Sequence, residues 1–165
     1  MNCNCPDDVS SMSSVVSALA TVSIPLVLAW WGHRQHKENI KQSLEARTLR
    51  ELDELNHRVS ASVTVIMQLC SNCKDLVYET ISENKELEGH VFAVLNQYEY
   101  LCFGANEGLF ENNIILSLRG KALKKTQEQY EKYNTTYRDK HDSEAWVQVD
   151  RFINAHMNRL QELQS

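Results

Sequence analysis

Residues 9–32 read VSSMSSVVSALATVSIPLVLAWWG, twenty-four consecutive positions without a charge. A helix rises about 1.5 Å per residue, so this stretch reaches roughly 36 Å, against about 30 Å for the hydrocarbon core of a bilayer. The sequence therefore predicts a single transmembrane helix over 9–32. The residues before it, with Asp7 and Asp8, lack the basic start of a signal peptide. Trp30 and Trp31 then stand where aromatic side chains meet the membrane interface, followed by Arg34 and Lys37. With Lys41, Arg47 and Arg50 also close behind, the positive-inside bias places the C-terminal side in the cytoplasm and exports the N-terminal tail. The same cations suit an anionic inner leaflet.

Within that stretch Ser10, Ser14, Ser17 and Thr21 recur at three- and four-residue steps and share one helix face. Small hydroxyl residues let helices pack closely in lipid, and the same stripe also suits the wet lumen of a ring of subunits. Both readings imply self-association. Pro25 removes a backbone donor and is expected to bend the helix.

Beyond Pro25 there is no further proline, and the five glycines stand at 32, 89, 104, 108 and 120. The sequence predicts an all-α chain divided into an exported tail (1–8), the span (9–32), a juxtamembrane stalk (33–51) and a helical bundle (52–165) of four or five helices. Leu52, Val59, Ile66 and Cys73 step by seven, and Leu55, Leu69 and Leu76 share a second register with Ser62 as its polar member. Such a seam predicts packing against a partner helix. His90–Asn106 is apolar nearly all round and reads as the central helix, with Asn96 and Glu99 as a buried polar network. Gly104 and Gly108 are expected to close it, and Asp142 to cap the last helix.

Charge narrows the function. All 17 Lys and Arg lie at or beyond position 34, where 20 of the 22 acidic residues also lie, so broad electrostatic binding of nucleic acid is not expected. The strongest basic run, Arg119, Lys121, Lys124 and Lys125, reads first as a solvated face and second as a patch for RNA or a partner. Cys70 and Cys73 form a lone C-x-x-C within a helical pattern, short of the four ligands of a structural zinc site. Neither a metal nor a cofactor is expected.

Arg151-Phe152-Ile153-Asn154-Ala155-His156 spells R-x4-H on the last long helix. In that position the motif resembles the HEPN superfamily, whose paired motifs meet at a dimer interface and cleave RNA. The resemblance implies a HEPN-like bundle in which His156 moves protons and Arg151 stabilises phosphate charge. The position after the arginine, usually polar in such nucleases, is Phe152 here, so a structural or interface role for the pair comes first and ribonuclease chemistry second. A HEPN-like bundle behind one N-terminal span resembles the small membrane accessory proteins of type VI-B CRISPR systems. That likeness implies a bacterial inner-membrane protein that enhances RNA-targeting antiviral defence. It would form an oligomeric pore when its partner, an RNA-guided RNA-targeting effector, is activated. A membrane-tethered ribonuclease and a passive anchor for a partner are the alternatives.

Overall fold

The computed structural model describes the backbone of residues 8–70 and 76–162, with side chains described from residue 26 onward except at positions 157, 160 and 162. Every regular element among the described residues is an α-helix: α1 Asp8–Leu69, α2 Tyr78–Glu83, α3 Lys85–Asn106, α4 Asn112–Lys140, α5 Val147–Ala155 and α6 Met157–Glu162. The all-α expectation stands. The transmembrane helix does not: among the described residues, no helix is long and apolar enough to cross a membrane. The side chains of Ser10, Ser14, Ser17, Thr21 and Pro25 lie outside the described residues.

The chain divides into two units, Met1–Ser43 and Leu44–Ser165. In the first, Leu26, Val27, Leu28, Trp30 and Trp31 are each more than half exposed, and Ile40 is exposed further along. Arg34 lies over the Trp30 ring at 5.8 Å and pairs with Glu38 one turn on at 3.4 Å.

In the second unit the core is built from five helices and the loops between them, α2 contributing the fully buried Ile81. From the later part of α1 it takes Leu52, Leu55, Val59 and Ile66; from α3, Leu87, Val91, Val94, Leu95, Tyr98, Leu101 and Cys102. α4 adds Ile115, Leu116, Leu123, Tyr130 and Tyr133, and α5 adds Val149, Phe152 and Ile153. The heptad seam of α1 is thus spent within the chain, against its own bundle. Ser62, the polar member of that seam, is buried 3.3 Å from His90 Nδ1 on α3. Leu69 is more than a third exposed, because α1 ends there. Cys70 consequently follows the end of a helix instead of lying mid-helix, and Cys73 lies outside the described residues.

Thr48 is fully buried and ties two segments together. Its hydroxyl donates to Leu44 O at 2.7 Å and accepts from the Glu111 backbone N–H at 2.8 Å, just before α4 begins. Thr48→Val keeps the shape and leaves that N–H without its acceptor. Unfolding in urea should show a loss of about 1 kcal/mol.

The helix ends depart from expectation in instructive ways. α3 starts at Lys85, earlier than His90, because the Asn84 side chain accepts from Glu86 N and Leu87 N, both at 3.1 Å. It stops through Gly108 alone, at φ 71°, where Leu109 N bonds Gly104 O at 2.8 Å and Gly108 N bonds Ala105 O at 3.1 Å. Gly104 lies inside the helix and serves packing. Asp142 caps a turn, accepting from Glu144 N at 3.0 Å, and α5 begins only after Trp146. Trp146 adopts the left-handed conformation (φ 55°), which costs a side-chain-bearing residue about 1 kcal/mol or more. Its buried indole offsets this by packing 5.0 Å from the Tyr137 ring and 5.3 Å from the Phe92 ring, while Nε1 donates to Asn96 Oδ1 at 2.9 Å.

Candidate functional site

The residues singled out from the sequence fall into separate places. Asn96 and Glu99, on α3, hold the start of α5. Glu99 accepts from Gln148 N at 3.0 Å and Val149 N at 3.1 Å with its two carboxylate oxygens, while Asn96 receives the Trp146 indole. Asn106, two turns further along α3, donates to Gln148 O at 3.2 Å. Burial pushes the Glu99 carboxyl above the usual glutamate range, the two backbone N–H groups opposing that shift. On the other side of α5, Asp150 pairs with Arg138 at 2.7 Å and accepts from Gln127 at 2.6 Å. This network positions α5 against α3 and α4. It is structural.

The basic run on α4 does not form one patch. Lys121 and Lys125 are exposed, Lys124 lies 3.9 Å from Glu128, and Arg119 is half-buried near the Tyr98 phenol. At about 100° per residue, Arg119 stands well around the helix from Lys124. Trp30, Trp31, Arg34 and Lys37 are exposed along the first unit's part of α1.

Arg151 and His156 are not brought together. Arg151 is exposed and donates to Gln148 Oε1 at 3.2 Å, one turn back on its own helix. Phe152, the apolar residue in the position where the motif usually carries a polar one, is fully buried, so this side of α5 is core. His156 ends α5: its backbone N–H bonds Ile153 O at 3.1 Å, and α6 starts at the next residue. The ring is half-buried against Phe152, centroids 4.8 Å apart, with Nε2 3.5 Å from the Asn112 side chain at the first turn of α4.

The break between α5 and α6 instead gives His156 a different cation. Arg159, one turn on, donates to Asn113 Oδ1, and Asn113 in turn donates to Glu111 at 2.8 Å. Asn154, Ala155, His156, Asn158 and Arg159 line an open pocket of about 200 Å³. Burial, with the nearby Arg159 charge, holds the His156 imidazole below its ordinary pKa, so it is neutral at pH 7. The pocket thus combines one imidazole, one guanidinium and two carboxamides, with a single proton carrier. Arg159 was legible as the i+3 neighbour of His156; Asn112 and Asn113, over forty residues away, were not. Among the described residues no group of three or more His, Cys, Asp or Glu is disposed to hold a metal ion.

A family model described as a domain of unknown function, DUF4760, matches residues 9–155, most of the chain. The chain belongs to the DUF4760 family. The match runs from α1 through the last residue of α5, so DUF4760 covers both the α1 apolar segment and most of the bundle. No curated protein and no solved structure matches the chain.

Proposed function

We propose that this DUF4760 chain works by assembly, its copies associating through the first unit's part of α1 while the bundle serves as the recognition head. The observation that supports it is the exposed run Leu26, Val27, Leu28, Trp30 and Trp31, which at about 100° per residue spreads apolar surface over more than half of the helix circumference. A contiguous apolar stretch of this kind is rarely left in water. One flat partner face covers only one side of such a rod, whereas in a ring of identical helices each is flanked by a neighbour on both sides, which buries a wider arc. The α1 seam from Leu52 to Ile66 is already used inside the chain and is not available for this contact. The setting, an RNA-targeting antiviral system whose interference the protein strengthens, rests on the HEPN-like resemblance alone. The separation of Arg151 from His156 favours assembly over RNA turnover by that pair.

Light scattering coupled to size exclusion tests the reading on the full chain. The wild type should run as an oligomer, and Leu28→Glu/Trp30→Glu as a monomer with unchanged far-UV circular dichroism. Charges placed among several converging copies should weaken association at least about a hundredfold, since each buried unpaired charge costs several kcal/mol. A wild type that stays monomeric at all concentrations overturns the proposal.

A further inference from the structure

We propose that the pocket between α5 and α6 is a phosphate-binding site, with the Arg159 guanidinium as its anchor and the side chains of Asn154, Asn158 and His156 as supporting donors. The lining is the first argument. Four of the five residues around the pocket carry side-chain N–H groups, and among the described residues no carboxylate lines it. Arg159 is exposed and engages Asn113 Oδ1 through one nitrogen; among the described residues no acid pairs with it. A guanidinium has five N–H donors in a planar fork, so the remaining ones are available for an oxyanion. The nearest acidic residue in this hydrogen-bond chain, Glu111, is turned to the Asn113 amide nitrogens and caps the start of α4.

Size is the second argument. About 200 Å³ lies below the range of pockets that enclose drug-sized ligands or dinucleotide cofactors, and suits a single phosphate group with whatever it is attached to left outside. Geometry is the third. The pocket lies where α5 ends at Ala155 and α6 restarts at Met157, and Asn154, His156, Asn158 and Arg159 all reach it from the two sides of that break. A neutral imidazole at the edge offers one N–H without adding a fixed charge, and it gains a proton more readily once an anion sits beside it. The site binds; among the described residues His156 is the one acid–base group in its lining. Two sources share this chemistry, free phosphate or a phosphomonoester, and the terminal phosphate of an RNA strand.

The test is NMR titration of the full chain, following the Asn154 and Asn158 side-chain amides and the His156 ring. Three probes are used: inorganic phosphate, a short oligoribonucleotide bearing a 3′-phosphate, and the same oligonucleotide without it. Saturable shifts with phosphate, and a His156 pKa that rises on binding, are expected. Arg159→Gln should weaken binding about tenfold or more, Arg159→Lys less, and Asn158→Asp should abolish it by placing a carboxylate in the pocket, each with the fold unchanged. Tighter binding of the phosphorylated RNA identifies a strand end as the source, and saturation by inorganic phosphate alone identifies a free phosphate. Absence of saturable shifts with both phosphate-bearing probes overturns the proposal. So does equal binding of the phosphate-free strand, or wild-type affinity in Arg159→Gln.

Discussion

Gly104→Ala is expected to destabilise the bundle by about 2–3 kcal/mol, the range in which added volume in a packed core forces its neighbours to move. A Cβ at this position would stand 2.5 Å from Phe110 Cδ2 and nearer still to Cε2. Phe110 cannot swing away cheaply, because its ring is 3% exposed, with Arg47 lying over it at 5.5 Å and the Tyr100 ring 6.2 Å off. Gly89, on the exposed side of the same helix, has nothing within 4 Å of the corresponding position. Gly89→Ala should therefore stabilise by about 0.5–1 kcal/mol through backbone entropy and helix propensity. Thermal unfolding of the two variants side by side separates packing from propensity, since only packing gives them opposite signs. Phe110→Leu in the Gly104→Ala background should recover part of the loss.

Glu99→Ala should cost about 2 kcal/mol, because it leaves the Gln148 and Val149 N–H groups at the start of α5 without acceptors. Glu99→Gln should cost less, since the amide oxygen still accepts and no charge is buried. The pH dependence follows from the raised carboxyl pKa in the fold. The folded protein holds the Glu99 proton more tightly than the unfolded chain does. Its contribution to stability is complete below the ordinary glutamate pKa and is lost as pH rises through the raised value. Chemical unfolding from mildly acid to neutral pH should thus show the wild type losing, relative to Glu99→Gln, stability that it holds at the acid end. A gap that instead widens in favour of the wild type with rising pH would mean that the backbone hydrogen bonds outweigh desolvation.

The helical class was readable because proline is absent after position 25 and the glycines are few. α3 was readable because its apolar residues surround it. The polar pair Asn96 and Glu99 announced itself for the same reason: a carboxylate and an amide inside an apolar helix need partners. Which partners they find could not be read, since the Trp146 indole and the α5 N–H groups arrive from about fifty residues away. Gly104 and Gly108 look alike in sequence; only Gly108 has the positive φ that ends a helix, while Gly104 makes room for a ring. The expected partner helix for the α1 seam is the chain's own bundle, because a heptad pattern specifies an apolar face and says nothing of what covers it. The expectation of a membrane crossing falls because, among the described residues, no helix is long and apolar enough to cross a membrane.

Local composition by itself determined that this chain is helical, which faces are apolar, and that polar residues on α3 must be satisfied. Those properties follow from spacing along one strand of residues and need no long-range information. Tertiary structure alone decided that His156 meets Asn112 and that Arg159 reaches Asn113, both at the start of α4. The helix breaks at His156, and a break redirects side chains by an angle that no periodicity encodes, so the site is made by packing α6 and the start of α4 together.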